Sequence, residues 1–339
     1  MKPLLTIDGL SCRYRLDATR TVDVLDDVSL VVGAAETIGI VGESGSGKST
    51  LGLAIPRLLP RNGEIWKGSV TLREQDIGAL DAREMQSLRG AEIGMIFQDP
   101  FSSFNPTYRI GAQMIDALRA HSRASSEKTG KSELRRRAVK ALADVGIPDP
   151  DQRIDDFPHQ FSGGMLQRAM IATAALLEPT VLIADEPTSA LDVSLEVEIL
   201  RLLERLRSEF GTAIILITHD LLVASEICDR IVVMYAGRIV EEAPIATIFD
   251  APRHPYTAAL LRAMPSSSAR GETLPSIPGS PPRMTELPPG CKFAPRCAFV
   301  ADVCTHREPR LLSIADDRVR CTLYDPEAAH SAARMEAAQ

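Results

Sequence analysis

The chain lacks any apolar stretch approaching the ~18 residues that a membrane-spanning helix needs. Its longest candidates, such as Ala213–Ile217, are the size of strands, so contact with a membrane is expected only through a partner. The opening residues Met1-Lys2-Pro3-Leu4-Leu5-Thr6-Ile7-Asp8 have neither the apolar core nor the cleavage site of an export signal, and the expected setting is cytoplasmic. A basic excess is missing too. With 38 Lys and Arg against 45 Asp and Glu, the net charge of −7 argues against a general nucleic-acid surface. Internal repeats are absent. What remains is ordinary for a globular protein: 45% hydrophobic and 24% charged residues in a chain of 339, enough for two or three domains.

Against that background one stretch stands out. Gly42-Glu43-Ser44-Gly45-Ser46-Gly47-Lys48-Ser49 spells G-x-x-x-x-G-K-S directly after the apolar run Thr37-Ile38-Gly39-Ile40-Val41. Buried strand, glycine loop, then Lys-Ser is the order that a nucleotide phosphate site requires. The glycines let successive backbone N–H groups curl around phosphate oxygens without a Cβ in the way. Lys48 would bring a point charge to the β and γ oxygens, Ser49 a hydroxyl for Mg2+, and the helix from Thr50 onward its positive end. Chance alone yields the pattern in roughly one chain of this size in a hundred.

Short strands are expected at Leu4–Ile7, Val28–Val32, Thr37–Val41, Ser69–Leu72 and Ile93–Phe97. From about Arg109 to Ile147 the pattern turns helical, broken by the polar loop Ser122–Lys131, and another helix runs from Gly163-Gly164 through Met170 to Leu177. Strand, helix and strand then follow at Val181–Ala184, Glu196–Glu209 and Ala213–Ile217. Such alternation implies an α/β fold with a largely parallel sheet. Beyond Ala251, ten prolines from Pro252 to Pro295, among them Pro265 and Pro275, rule out long regular elements. Residues 251–339 therefore read as a separate, loop-rich domain after a first domain of residues 1–250.

Val181-Leu182-Ile183-Ala184-Asp185-Glu186 is an apolar strand ending in two acids, and the carboxyl end of a parallel strand opens onto the ligand crevice. Asp185 would hold Mg2+ through water, and Glu186 would polarise the water that attacks the γ-phosphorus. Elsewhere an acid pair at a strand end can be merely a helix cap. Here it leads into Pro187-Thr188-Ser189-Ala190-Leu191-Asp192. Phe161-Ser162-Gly163-Gly164-Met165 opens a helix and forms a second candidate anion site, which suggests a nucleotide sandwiched between two subunits.

With these motifs in this order, residues 1–250 resemble the nucleotide-binding subunit of ABC transporters. The resemblance implies a P-loop NTPase fold with a RecA-like core, an antiparallel β subdomain and an α-helical subdomain at about residues 98–175. It assigns nucleotide contact to Gly42, Ser44, Gly45, Gly47, Lys48, Ser49, Thr50, Asp185, Ser162, Gly163, Gly164 and Asp192. Gln98 matches the glutamine loop, a catalytic and Mg2+-binding position shared with Ser49 and Asp185. Ser189–Asp192 matches the loop that touches the partner subunit, and Thr218-His219-Asp220 the histidine switch that contacts the γ-phosphate. Tyr14 stands where the family places a ring against adenine, with simple packing as the alternative. Met165 departs from the family's usual Gln.

Three stretches resemble the peptide/nickel importer group more narrowly: Gln98 to Pro106, Phe157 to Met165, and the tail with Pro255-Tyr256-Thr257, Gly279-Ser280-Pro281-Pro282 and Cys291 to Cys297. This implies an ATP-hydrolysing subunit that energises import of di- or oligopeptides, with nickel, glutathione or a cationic antimicrobial peptide as alternative cargo. The implied partners are a second homologous ATPase, by family habit a paralogue, two permeases and, indirectly, a solute-binding protein. The implied location is the cytoplasmic face of the membrane, peripherally bound. Gln98 to about Leu118, with Phe101, Phe104 and Tyr108, would receive the permease, or those aromatics would simply pack the helices. A soluble ABC ATPase acting on DNA or ribosomes is the rival, but such chains carry two cassettes, a coiled coil or a basic extension, and this one has none.

Cys291, Cys297, Cys304 and Cys321 are spaced C-x5-C-x6-C-x16-C. Cytosolic disulfides are disfavoured, and the tight C-x2-C of structural zinc is missing. Four thiolates suit zinc or an iron–sulfur cluster, and the family resemblance favours [4Fe–4S]. Free thiols packed as small apolar groups are the alternative. Cys12 and Cys228 are expected in the core. Arg135-Arg136-Arg137 reads as a solvated helix face, and His121, His254, His306 and His330 as surface residues, while His159 has no catalytic role.

Overall fold

The computed structural model describes residues 2–122, 130–189, 191–264 and 276–328. Most of the polar loop Ser122–Lys131, together with Ala190, Pro265, Pro275 and His330, lies outside the described residues. In chain order the strands are β1 (Leu5–Arg15), β2 (Thr21–Val32), β3 (Thr37–Val41), β4 (Gly63–Leu72), β5 (Gln75–Asp76), β6 (Ile93–Ile96), β7 (Val181–Asp185), β8 (Ala213–Thr218), β9 (Arg230–Tyr235), β10 (Arg238–Pro244), β11 (Leu312–Ile314) and β12 (Asp317–Val319). They divide between two compact units.

The first unit comprises the chain up to Thr6, Val31–Thr37 and Thr71–Ile217. Its β6, β7 and β8 run parallel, in register from Ile93↔Val181 to Ile96↔Ala184 and from Val181↔Ala213 to Asp185↔Ile217. Every residue of β7 and β8 is buried, which is why each reads as an unbroken apolar run. Helices Ile110–Ser122, Lys131–Asp144 and Gly163–Ala175 pack on one another. The second of these buries Leu134, Ala138 and Leu142 at four-residue spacing. On its outer side Arg135 pairs with Asp155 and Arg136 with Glu133, while Arg137 donates to the carbonyl of Leu176.

The second unit comprises Ile7–Leu30, Ile38–Val70 and the chain from Thr218 onward. Here β3 lies parallel to β9, β9 antiparallel to β10, β10 to β12, and β12 to β11. β1 and β2 are longer than their apolar ends suggest, because β2 alternates exposed and buried positions before reaching Val28. The β9–β10 hairpin was not expected at all. Its link is Ala236-Gly237 rather than the Asn-Gly or Asp-Gly that advertises a hairpin.

The proline-rich stretch and the chain after it hold only short elements, one of which extends the second unit's sheet. β12 pairs with β10 through Glu241↔Val319 and Glu242↔Arg318, covering what would otherwise be an open sheet edge. A small apolar cluster of Val319, Cys321 and Leu323, with Phe299, Ile314 and Tyr324 against it, supports this hairpin. Cys12 and Cys228 are buried as expected, and burial pushes the Cys12 thiol up to about 12.

Two of the histidines depart from expectation. His254 is only 1% exposed and His121 is half-buried; His306 lies at the surface. The reason lies in β10. Glu241, fully buried, accepts the N–H groups of Arg253 at 2.6 Å and His254 at 2.9 Å. This draws His254 inward, where its Nδ1 accepts the Tyr256 N–H at 3.0 Å and caps helix Pro255–Arg262.

Burial pulls the His254 imidazole from 6.5 down to about 3. Its contribution is complete above the unfolded value and is lost as pH falls through that window. Between about pH 6.5 and 5 the chain should lose about 2 kcal/mol through this group. Urea unfolding of wild type and His254→Gln across that range should show a shallower pH slope in the variant; equal slopes would refute the assignment.

Candidate nucleotide-hydrolysis site

Within the second unit, the glycine loop joins β3 to helix Lys48–Ala54. Gly47 has φ +101°, and a Cβ there would stand 2.8 Å from Leu25 Cδ2 and 3.0 Å from the Val24 carbonyl oxygen. Only glycine lets the loop pass so close to β2. Ser44, Gly45 and Ser49 are exposed along the crest, whereas Gly42, Ser46 and Gly47 are buried beneath it. Lys48 is buried, and its Nζ donates to the carbonyls of Gly42 at 2.7 Å and Glu43 at 3.0 Å. The ammonium thus lies under the crest whose amides would wrap a phosphate.

Half-buried Tyr14 brings its hydroxyl within 3.3 Å of Thr50 Oγ1 at the first turn of that helix. One contact had no signal in the sequence: the Gly237 N–H of the β9–β10 turn donates to the Ser46 carbonyl at 2.9 Å. Also in this unit, His219 is exposed at the end of β8. The next residue, Asp220, caps helix Leu221–Ile227 by accepting the Leu222 N–H at 2.7 Å.

Within the first unit, the parallel strand β7 ends on buried Asp185 and delivers Glu186 just beyond it. Glu186 adopts φ +45°, a left-handed conformation rare outside glycine that costs on the order of 1–3 kcal/mol. Hydrogen bonds hold it there. Its N–H donates to the Ile217 carbonyl at 2.8 Å, and its carbonyl accepts from the Ser189 N–H at 3.1 Å and the Ser189 hydroxyl at 2.9 Å. The turn directs the carboxylate toward Gln98, whose Nε2 donates to Glu186 Oε2 at 2.9 Å. Gln98 and Glu186, two of the expected catalytic groups, meet directly across 88 residues.

The Ser162–Gly164 motif sits on the same unit. Ser162 caps helix Gly163–Ala175 by accepting the Met165 N–H at 3.3 Å. Gly163 is exposed, with nothing within 4 Å of where a Cβ would be. Gly164 has no such room, since a Cβ would lie 2.3 Å from Leu195 Cδ2 on helix Val193–Phe210. Asp192 caps that helix, accepting the Leu195 N–H at 3.0 Å. Buried Gln167, to which sequence reasoning gave no role, donates to the Pro187 carbonyl at 2.6 Å and ties the motif's helix to the strand end carrying Glu186.

Of the three aromatics expected at the permease-facing surface, Phe101 and Tyr108 are exposed, at 60% and 57%. Phe104 is not, being buried at 5%. The C-terminal cysteines need a correction too. Burial raises the thiols of Cys291, Cys297 and Cys321, Cys297 to about 11 and Cys291 to about 12. Cys304 Sγ lies 3.2 Å from Thr322 Oγ1 and Cys297 Sγ accepts the Phe299 N–H. Among the described residues no group of three or more His, Cys, Asp or Glu stands at metal-holding spacing. The expected iron–sulfur cluster or zinc is not supported by this arrangement.

Residues 25–189 match the ABC transporter family, and residues 240–304 match the oligopeptide/dipeptide transporter C-terminal region. The dipeptide transport ATP-binding protein DppD of Escherichia coli (strain K12) is 45% identical over 315 residues, covering 93% of this chain and 94% of DppD. The chain belongs to the ATP-binding subunits of ABC peptide importers. A relative from Brucella abortus (strain 2308), also named for peptide import and ATP binding, is 46% identical across 97% of this chain and 99% of its own length. Among solved structures, the dimeric bacterial ABC transporter cassette MJ0796 superposes with a TM-score of 0.64 at 27% identity, over 71% of this chain and 98% of that one. ABC ATPases of this kind take ATP with Mg2+ and hydrolyse it. No helix among the described residues is long and apolar enough to cross a membrane.

The tight seat of Gly164 yields a test. Gly164→Val forces helix Gly163–Ala175 away from Leu195 and should lower ATPase turnover at least about tenfold, while ATP binding to the isolated chain stays within about twofold of wild type. Turnover and calorimetric binding measured side by side would decide it.

Proposed function

We propose that this ABC ATPase powers uptake of di- or oligopeptides. The observation that carries the reading is the DppD likeness, which runs through both the cassette and the C-terminal region. On this reading the cassette is residues 1–250, with its helical part at about 98–175, and residues 251–339 are the importer-type C-terminal domain. The subunit works peripherally at the cytoplasmic face of the membrane, beneath two permeases supplied by a solute-binding protein. Exposed Phe101 and Tyr108 are suited to receive a permease. The cassette pairs with a second homologous ATPase, a paralogue.

In this proposal the loop residues Gly42, Ser44, Gly45, Gly47, Lys48, Ser49 and Thr50 bind the phosphates, with the Lys48 ammonium among them, and Tyr14 borders the adenine. Buried Asp185 and the exposed Ser49 hydroxyl are oxygen donors of the kind Mg2+ prefers, and with Gln98 they would hold it. The ion would neutralise charge on the phosphates. Glu186 orients and polarises the attacking water, with Gln98 steering its carboxylate, and His219 contacts the γ-phosphate. Ser162, Gly163 and Gly164 complete the partner's site, and Asp192 lies in the loop that meets the partner. Hydrolysis removes the phosphate gripped from both sides, so the pair opens and the permease resets.

Glu186→Gln should bind ATP, lose about 10²–10³-fold in turnover, and trap a closed ATPase pair detectable by size-exclusion chromatography. Wild-type turnover in that variant would refute the base. Lys48→Ala should instead abolish most ATP binding in calorimetry.

The finer expectation for the four C-terminal sulfurs, a [4Fe–4S] cluster or zinc, is a second proposal, and it rests on four cysteines falling in one proline-rich segment of the sequence rather than on metal-holding geometry. Anaerobic purification should yield iron with a visible absorption band, or zinc. A colourless chain with neither metal would remove it.

A further inference from the structure

Glu43, the second residue of the phosphate loop, is held by groups from the C-terminal segment. Its carboxylate accepts both terminal nitrogens of Arg296, Oε2 at 2.6 Å and Oε1 at 3.0 Å. Its backbone N–H donates to the Tyr256 hydroxyl at 2.9 Å. Its carbonyl accepts Lys48 Nζ at 3.0 Å. Every polar group of this one loop residue therefore has a partner. Two of those partners come from the importer-type C-terminal region, and the third is the lysine on which phosphate binding rests.

The holder is itself rigid. The Arg296 side chain is only 5% exposed, its Nε donates to the Pro278 carbonyl at 2.8 Å, and one terminal nitrogen also reaches the Tyr235 hydroxyl at 3.3 Å. Tyr235, Tyr256 and Phe293 form a ring cluster with centroids 4.6 to 5.3 Å apart, and Arg296 lies over two of those rings. A guanidinium so deeply desolvated needs a fixed anion, and a two-point fork onto a carboxylate fixes direction as well as distance.

We infer that Arg296 and Tyr256 act as positioning residues, clamping Glu43 so that the phosphate loop and Lys48 are set for ATP before it arrives. The inference rests on the nucleotide reading of that loop and deepens it, because the C-terminal region becomes part of the nucleotide site's support. Without the clamp, ordering the loop is charged against ATP binding, so affinity falls while the hydrolytic groups on β7 keep their geometry.

The test titrates ATP calorimetrically onto the full-length wild-type chain, Glu43→Gln, Arg296→Gln and the double variant, with kcat and KM measured in the assembled transporter. Each single change should weaken ATP binding and raise KM about tenfold, with kcat changed less than about twofold, and the double should be no weaker than the worse single. Tyr256→Phe should weaken binding about threefold, by loss of one acceptor. Where Arg296→Gln lowers the melting temperature, Arg296→Lys and Glu43→Asp replace it, keeping the charges but losing the guanidinium fork in the first and one methylene of reach in the second. They should show the same affinity loss with wild-type melting. Wild-type affinity in the well-folded variants, or losses that multiply in the double, would overturn the clamp alone. A wild-type chain that binds no ATP would overturn the nucleotide reading and the clamp with it.

Discussion

Glu186 is the constraint around which the first unit is organised. In the role proposed for it, a carboxylate that addresses a water cannot sit inside a buried strand, and one that is aimed cannot sit on a free loop. The chain meets both demands by ending β7 on Asp185 and turning at once through a left-handed residue. That conformation is unfavourable by itself. It persists because β8 accepts the Glu186 N–H, Ser189 returns two bonds to its carbonyl, and Gln98 receives its carboxylate. Gln167 and Asp192 then fasten the neighbouring helices to the same corner.

The second unit solves a different problem, that of a loop made of glycine and serine that must hold one shape. Its supports come from distant parts of the chain: β2 beneath Gly47, the β9–β10 turn at Ser46, and Arg296 with Tyr256 at Glu43. Loops of this composition lose much entropy on ordering. Supplying that order from folded neighbours would leave more of the ATP interaction available as affinity. The C-terminal segment, with its short elements and its hairpin on β10, thus has a structural tie to the cassette's chemistry.

Much of this was legible in advance. The G-x-x-x-x-G-K-S run, the apolar strand ending in two acids and the Ser-Gly-Gly helix start are local patterns, and local backbone chemistry is what they encode. The parallel strands β7 and β8 were legible because burial on both faces leaves a continuous apolar signature. β2 was half-seen because only its end loses the alternation, and the β9–β10 hairpin was missed because Ala-Gly carries no turn signal. His254 and Phe104 were misplaced for a related reason. Each is drawn inward by packing from other elements, which periodicity along one element cannot register.

The sequence by itself determined the chemistry: which residues could hold phosphate, which could polarise water, and to which family of ATPases the order of motifs belongs. Those features depend on residue type and spacing over a few positions, so the linear order suffices. The tertiary structure alone decided which groups are aimed and which are held. Gln98 finds Glu186 across 88 residues, and Arg296 finds Glu43 across 253. Pairings at that range follow from how strands and helices stack, because the loop-closure entropy of each is met by the whole fold and not by the pair.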